Sequence, residues 1–248
     1  MKKLVAYALK SFGYSIVKKN AIPDDFDADI KNIIGQVRPY TMTSPERLNA
    51  LCLAAKYIST NGIEGDIVEC GVWRGGSMLA VARVLDTMDD WSRTLWMYDT
   101  FEGMSKPTEH DLDIAGMSAM DLLRKEIKSA DSDIWCCASL QDVQQNMKRS
   151  AYPFERIRFI QGKVEETLNK TVPERIALLR LDTDWYESTR AEMEVLFPRL
   201  TRGGVLIIDD YGHWQGARKA IDDYLASRNI TILLNRIDYT GRIAVKTF

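Results

Sequence analysis

Residues 66–77 read DIVECGVWRGGS, and this stretch decides the fold of the chain. Its apolar residues lead to an acid, Glu69, and then to a turn that contains Gly71, Gly75 and Gly76. Glycines allow a backbone to approach a ligand closely, and a helix that follows them turns its free N–H groups towards that ligand. The stretch therefore predicts a strand, a turn that binds a nucleoside-type cofactor, and a helix.

The spacing of these glycines limits the cofactor. A dinucleotide-binding turn has the pattern Gly-x-Gly-x-x-Gly, whereas this chain has Glu-x-Gly-x-x-x-Gly-Gly. The observed spacing fits a smaller ligand with a ribose and no pyrophosphate, which disfavours an NAD-dependent oxidoreductase. The alternative, an ordinary strand-to-helix turn without a ligand, stays open at this point.

The length and composition of the chain indicate one α/β domain with additions. The chain has 248 residues, of which 46% are hydrophobic, so it can bury a full core. A net charge of -2 and a pI of about 5.8 give no basic field, so we expect small-molecule partners and no nucleic acid. The four cysteines form no Cys-x-x-Cys motif, which favours reduced thiols and a cytoplasmic location. No stretch of the sequence approaches transmembrane length.

Residues 1–45 are predicted to form an N-terminal helix and a segment that covers the core. Leu4, Tyr7, Phe12 and Ile16 have the spacing of a short amphipathic helix flanked by lysines. Residues 20–45 contain acids and prolines, which predicts irregular structure. An isolated basic helix of this kind commonly packs on the body of the protein or on a second subunit, so we expect a homo-oligomer.

Residues 46–248 are predicted to form the main domain, in which strands and helices alternate. The strands are expected at Asp66–Cys70, 94–99, 156–160, 176–182 and 205–210, with a final hairpin at 230–235 and 241–246. The helices are expected at 46–60, 78–88, 164–168, 188–200 and 215–228. This order predicts a mostly parallel seven-stranded sheet with helices on both faces and a C-terminal antiparallel hairpin.

The insertion at 103–150 interrupts this alternation. Its sequence predicts helices near 117–129 and 141–149 and no strand. Long insertions in compact domains commonly form lids or binding elements. We therefore expect this insertion to contribute to the pocket of the acceptor.

Acidic residues follow most of the predicted strands of the alternating core. They are Glu69, Asp99, Asp182 and the pair Asp209 and Asp210. The carboxyl ends of parallel strands meet at one edge of a sheet, where ligands of α/β proteins bind, so we expect these acids to lie close together. Asp99 has the place of an acid that binds ribose hydroxyls, and its alternative role is that of a loop cap.

Asp182, Asp209 and Asp210 form the predicted metal site. Three like charges in proximity repel one another unless a proton is shared or a cation lies among them, and Mg²⁺ is the hard divalent ion that such acids suit. A substrate hydroxyl bound to this ion would become a nucleophile near neutral pH. The alternative is that these acids are solvated at the starts of loops.

Several residues are candidates for proton transfer and for stacking. Asp182 and Asp184 are the candidate general bases, and we rank His213 below them because a lone histidine in a loop is more often structural. His110, in the insertion, is a candidate contact of the substrate. Trp73 is among the aromatic residues that could stack on an adenine or a sugar, although ordinary packing is an equal alternative.

Five segments together resemble the macrocin/mycinamicin-type sugar O-methyltransferases over residues 40–228. These segments are VECGVWRGGS at 68–77, YDTFEGM at 98–104, RFIQGKVEETL at 158–168, LRLDTDWYESTRAEME at 179–194 and GGVLIIDDYGHWQGARKAIDDY at 203–224. The resemblance implies a Rossmann-like class I methyltransferase fold, S-adenosylmethionine as methyl donor, and a divalent ion, usually Mg²⁺. The insertion at 103–150 does not align with this family, so the acceptor stays undetermined.

The resemblance also implies roles for individual residues. It places Glu69, Gly71 and Ser77 in the cofactor loop, Asp99 at the ribose, and Gly162 near the adenine. It places Asp182, Asp209 and Asp210 at the metal, with Asp182 also the favoured base. Residues 40–45 correspond to the start of a mobile lid.

We therefore predict a metal-dependent O-methyltransferase. It would move a methyl group from S-adenosylmethionine to a hydroxyl of a sugar or a glycosylated natural product. One alternative is a catechol-type O-methyltransferase that acts on an aromatic diol, and another is a non-catalytic protein that binds S-adenosylmethionine.

Overall fold

The structure, a computed structural model, describes residues 21–129, 132 and 134–248. The helix predicted from Leu4 to Ile16 lies outside the described residues. Within them, no helix combines the length and the apolar character needed to cross a membrane.

The described helices and strands alternate from β1 onwards, as predicted. The helices are α1 (Ala28–Val37), α2 (Pro45–Thr60), α3 (Gly76–Thr87), α4 (Ala119–Lys125), α5 (Leu140–Met147), α6 (Val164–Thr167), α7 (Tyr186–Val195) and α8 (Gln215–Ser227). The strands are β1 (Asp66–Cys70), β2 (Leu95–Asp99), β3 (Ile157–Gln161), β4 (Ile176–Leu181), β5 (Leu200–Ile208), β6 (Asn235–Arg236) and β7 (Arg242–Val245).

The strands of the described chain form one seven-stranded sheet with the order β3-β2-β1-β4-β5-β7-β6. Strands β1 to β5 are parallel, and β7 is antiparallel to both β5 and β6. The predicted Rossmann-like architecture, largely parallel with an antiparallel C-terminal end, is therefore confirmed. The strand order reverses between β1 and β4, and ligands of open α/β sheets bind at such a reversal.

The central strands are buried on both faces, because helices cover each side of the sheet. Ile67 of β1 packs in a cluster with Leu48 of α2 and Leu79 of α3. Its neighbour Val68 packs in a second cluster with Met193 of α7 and Ile221 of α8. Successive side chains of a strand point to opposite faces, so this alternation anchors β1 in the apolar core on each side of the sheet.

Helix α1 corrects the prediction of irregular structure over residues 20–45. Ile30, Ile33, Ile34 and Val37 are all buried on one face of this helix. They recur at the spacing of an amphipathic helix, and Asp29 in the first turn suits the positive end of the helix dipole. Burial of this face against the α2–α3 layer outweighs the polar composition of the segment.

Several predicted boundaries also differ from the structure, and β5, for example, begins at Leu200 and not at residue 205. The strand predicted at 230–235 is replaced by the two residues of β6, Asn235–Arg236, which pair with Arg242 and Ile243 at the edge of the sheet. The helix predicted at 188–200 ends at Val195 and is followed by a 3₁₀ turn at Phe197–Arg199. Pro198 lies in this turn, and proline cannot continue an α-helix because it lacks an amide N–H.

Candidate active site

A cavity of about 550 Å³ lies at the carboxyl ends of the parallel strands. Its volume is in the range of small-molecule and cofactor sites. It brings together nearly all of the predicted site residues, namely Gly71, Trp73, Ser77, Asp99, Gly162, Asp182, Asp184, Asp209 and Asp210. Glu69 and His110 are the exceptions, because they do not border this cavity.

The turn after β1 needs glycine at two positions. Gly71 has a φ of +81° and Gly75 has a φ of +83°, both in the left-handed region that favours glycine. A Cβ atom on Gly71 would also collide with the carbonyl oxygen of Asp182, at the end of the neighbouring strand β4. The glycine therefore lets the turn after β1 lie directly against the first acid of the predicted metal site.

Asp99 fastens this turn. Its carboxylate accepts hydrogen bonds from the backbone amides of Val72 at 2.6 Å and Trp73 at 3.0 Å, and from that of Phe101 at 2.7 Å. Burial raises the pKa of Asp99, and the backbone hydrogen bonds oppose that rise. The structure thus shows the loop-cap role that was the alternative for Asp99, in a side chain that also borders the cavity.

Glu69 has a structural partner. It is 1% exposed, and its Oε1 atom lies 2.5 Å from Nη1 of Arg180, its direct neighbour across β1 and β4. Burial raises the pKa of Glu69 to about 7, and the adjacent guanidinium opposes that rise. The carboxylate of Glu69 turns into the sheet face towards Arg180 and not into the cavity, and its role in binding the cofactor stays a prediction.

Arg180 is a site residue that the sequence reasoning missed. Its guanidinium is buried and pairs with Glu69, with Asp182 at 2.7 Å and with Asp209 at 2.6 Å. It also donates to the hydroxyl of Thr43 at 3.0 Å. The signal was present in the sequence, because a charged residue inside the apolar strand IALLRL needs buried partners.

The acid cluster of the cavity consists of Asp182, Asp184 and Asp210. Among the described residues, these three offer carboxylate oxygens that lie within 4.8 Å of one another. Loss of solvent in the cavity raises the pKa of Asp182 and of Asp184 to about 7. The pKa of Asp210 is raised well above its ordinary value by desolvation and by the charge of Asp184. The negative charge of Asp184 therefore favours the protonated form of Asp210 when no cation is bound.

Asp209 lies beside this cluster but is not part of it. Its Oδ1 atom accepts from Arg180, and its Oδ2 atom pairs with Arg47 of α2. Arg47 in turn lies 3.1 Å from Asp238, in the turn before β7. The structure therefore groups Asp184 with Asp182 and Asp210, where the sequence predicted Asp209, because two arginines already engage the carboxylate of Asp209.

Asp184 has an unusual backbone conformation. Its φ is +69°, and the amide of Trp185 donates to the carbonyl of Thr183 at 2.8 Å across it. This three-residue turn has the left-handed central residue of a γ-turn, which is rare and strained. Trp185 is buried and donates from its indole to the carbonyl of Ser105 at 3.1 Å. The turn follows closely after the carboxyl end of β4 and keeps the carboxylate of Asp184 in the cluster.

The remaining candidates occupy different places. Trp73 borders the cavity, and its buried indole N–H has no hydrogen-bond partner in the described part of the chain. Ser77 lies within hydrogen-bonding distance of Thr41 and Thr43. His213 borders the cavity, and desolvation lowers its pKa, which favours the neutral imidazole.

His110 lies outside this cavity. Its ring packs against that of Tyr186, with centroids 4.7 Å apart, beside a separate surface groove. The insertion that contains it does reach the cavity, through Met104, Leu122 and Cys136. The candidate contact of the acceptor is thus the wall formed by these residues.

Comparison with known proteins assigns the family of this site. A sequence model of the macrocin O-methyltransferase (TylF) family matches residues 10–245. The chain belongs to this family. Membership makes it an O-methyltransferase, so the predicted activity is confirmed, and S-adenosylmethionine is supported as its methyl donor.

Relatives of this O-methyltransferase act in natural-product biosynthesis according to their names. The chain is 35% identical over 218 residues to the 8-demethyl-8-(2,3-dimethoxy-alpha-L-rhamnosyl)-tetracenomycin-C 4'-O-methyltransferase of Streptomyces olivaceus. This alignment covers 87% of this chain and 79% of that protein. It is 33% identical over 202 residues to the mycinamicin III 3''-O-methyltransferase of Micromonospora griseorubida, which covers 82% and 76%. The solved structure of the O-methyltransferase NovP superimposes with a TM-score of 0.73 at 30% identity, over 84% of this chain and 83% of that one.

Proposed function

We propose that this enzyme transfers the methyl group of S-adenosylmethionine to a hydroxyl of a sugar on a natural product, with a divalent ion, Mg²⁺, at the acid cluster. The observation that carries the proposal is that one cavity holds both the glycine turn after β1 and the carboxylates after β4 and β5. The name of the tetracenomycin relative, which includes a rhamnosyl group, supports a sugar acceptor.

The acid cluster has the chemistry that a magnesium site requires. Carboxylate oxygens are the ligands that Mg²⁺ prefers, and it commonly takes one or two of them. Arg180 neutralises Asp182 in part, but Asp184 and Asp210 have no ion pair in the described chain. A divalent cation would offset the desolvation and the mutual repulsion that raise the pKa values of Asp184 and Asp210. We propose Asp182 and Asp210 as its ligands, and Asp209 as a further ligand once its pair with Arg47 opens.

The residues of the chain then divide the reaction between them. Trp73, Ser77, Asp99 and Gly162 would surround the methyl donor, and the wall formed by the insertion would hold the acceptor beside the acid cluster. Asp184 would accept the proton of the acceptor hydroxyl, because its pKa of about 7 suits proton transfer near neutral pH. When bound, a divalent ion would supply positive charge that lowers the pKa of this hydroxyl. The cavity would hold donor and acceptor next to each other, and this proximity lowers the entropic part of the activation barrier.

The proposal can be tested with a screen of acceptors. Purified enzyme is incubated with methyl-labelled S-adenosylmethionine and either nucleotide sugars, glycosylated natural products or catechols, in Mg²⁺ or in excess EDTA. We expect label in a glycoside only, and only with Mg²⁺. Transfer to a catechol but to no sugar would favour the catechol-type alternative, and full activity in EDTA would contradict the metal role.

A further inference from the structure

Glu192, in the middle of α7, is a buried acid without a counter-charge. It is 0% exposed, and the groups that hydrogen-bond to it in the described part of the chain, the hydroxyl of Thr183 and the thiol of Cys70, carry no charge. The buried guanidinium of Arg180 pairs with three other carboxylates and not with Glu192. A buried carboxyl group with so few partners is costly for a fold, and a leucine would fill the same space at lower cost.

The Oε1 atom of Glu192 accepts a hydrogen bond of 2.9 Å from the hydroxyl of Thr183. Thr183 is the residue between Asp182 and Asp184, and it forms the first residue of the strained turn described above. The residues at the two ends of this segment, Asp182 and Trp185, are each held by a hydrogen bond of their own. The amide of Asp182 donates to the carbonyl of Cys70 at 2.9 Å, and the indole of Trp185 donates to the carbonyl of Ser105.

A strained turn persists only when its surroundings fix it at several points. In the described part of the chain, the hydroxyl of Thr183 donates a hydrogen bond to Glu192 and to no other side chain, so removal of Glu192 would leave this hydroxyl without its acceptor. The backbone at Asp184 could then relax from its left-handed conformation, and its carboxylate would leave the cluster. Glu192 therefore supports the middle of the segment that presents both acids.

We propose that Glu192 is a positioning residue: through Thr183 it holds the carboxylates of Asp182 and Asp184 in the acid cluster. The inference rests on the proposed roles of those two acids. It requires only a hydrogen-bond acceptor at this position, so glutamine serves as well as glutamate. A residue that merely fills the core would instead be replaced well by leucine.

The test compares Glu192→Gln, Glu192→Leu and Thr183→Val in the full-length enzyme. Glu194→Gln is the matched control, since Glu194 is on the same helix with a side chain 48% exposed. We expect Glu192→Leu and Thr183→Val each to lower kcat, and the affinity for Mn²⁺ alone, by about 10–100-fold, the range for residues that orient metal ligands. Glu192→Gln should restore both quantities to within about threefold. The dissociation constant of S-adenosylmethionine should stay within about twofold in every variant, which also reports that each variant is folded.

The double variant Thr183→Val/Glu192→Leu separates positioning from packing. If Glu192 acts through Thr183, the double variant is no worse than either single one, because the two share one interaction. A Glu192→Leu enzyme with the kcat and Mn²⁺ affinity of the wild type would overturn the inference. So would equal losses in Glu192→Gln and Glu192→Leu, or additive losses in the double variant. A wild-type enzyme that neither binds Mn²⁺ nor needs a metal would contradict the proposed function instead, and the kcat values of these variants would still decide the role of Glu192.

Discussion

Nη1 of Arg180 lies 2.7 Å from Oδ2 of Asp182, so the first acid of the cluster is tied to a guanidinium that is itself buried in the sheet. The same guanidinium holds Glu69 and Asp209. One buried cation therefore partly balances two buried carboxylates, Glu69 and Asp209, and the cavity-lining Asp182.

Replacement of Arg180 by methionine should destabilise the enzyme severely. Glu69 and Asp182 would lose their arginine partner and Asp209 would keep only Arg47, and breaking a buried pair commonly costs about 3–5 kcal/mol. Urea denaturation gives this free energy of unfolding. Arg190→Met is the control, because Arg190 pairs only with exposed glutamates and such pairs are worth about 1 kcal/mol at most. A loss in Arg180→Met no larger than in the control would refute this account of the network.

Asp210→Asn should separate chemistry from donor binding. The substitution keeps the shape of the side chain but removes a charge that the proposed metal needs, so kcat should fall by about 100-fold or more. The dissociation constant of S-adenosylmethionine, measured by calorimetry, should change by less than about twofold, because the proposed site of the donor lies against the glycine turn. Glu155→Gln, at an exposed acid remote from the cavity, serves as control. Undiminished kcat would remove Asp210 from the reaction.

Asp99→Ala should weaken the binding of the methyl donor. The amides of Val72 and Trp73 would lose their shared acceptor, and the turn that we propose to bind the donor would loosen. Hydrogen bonds to charged groups are worth about 1.5–3 kcal/mol, so we expect a loss of affinity of at least about tenfold. Calorimetry on Asp99→Ala and on the exposed neighbour variant Glu102→Gln measures it. If both variants bind the donor as tightly as the wild type, Asp99 does not serve the cofactor site.

The affinity for Mn²⁺ should fall as the pH drops through 7. Loss of solvent raises the pKa of Asp182 and of Asp184 to about 7, so protons occupy these carboxylates below that pH and must leave before a metal binds. Affinity should decrease about tenfold per pH unit for each proton displaced. Calorimetry at pH 6, 7 and 8 gives the slope, which should be shallower in Asp184→Asn. Equal affinity of the wild type at pH 6 and 8 would contradict the raised pKa values.

The stability of the metal-free enzyme, measured in EDTA, should decrease as the pH rises, whereas the affinity for Mn²⁺ should increase. A carboxyl whose pKa is raised on folding contributes stability that is fully present below its unfolded pKa and is lost as the pH rises through its folded pKa. The melting temperature should therefore decrease between pH 6 and pH 8, by about 2–4 °C for each kcal/mol lost. Asp184→Asn should flatten this decrease, because it removes one of the groups whose pKa is about 7. A melting temperature that rises over the same interval in the wild type, relative to the variant, would show that the sign is wrong.

Most of the fold could be predicted from local sequence. Strand β1, the glycine turn and the acids after β4 and β5 follow from short patterns, and each lies where those patterns place it. Helix α1 was missed because prolines and acids around it obscured four apolar residues at helical spacing. The length of β6 was overestimated because an edge strand has only one neighbour, and local sequence does not show where that neighbour ends.

The partners of buried polar groups could not be predicted in the same way. Glu69 and Arg180 are 111 residues apart, and only the register of β1 on β4 makes them neighbours. The pair of Arg47 with Asp209 likewise depends on how α2 lies across the sheet. Sequence patterns gave the residue types at the rim of the cavity, whereas the tertiary structure decided that Asp184, and not Asp209, faces Asp182 and Asp210.

The hydrogen bond from the amide of Asp182 to the carbonyl of Cys70 continues the pairing of β4 with β1 beyond the strands themselves. The turn proposed for the donor, after β1, and the acids that follow β4 are thus one interstrand spacing apart, about 4.8 Å, a distance that the backbone fixes. The insertion at 103–150 has no part in that spacing, although it walls the cavity. Exchange of the insertion between relatives should therefore change the acceptor. The distance between donor and acceptor should stay the same in such chimaeras.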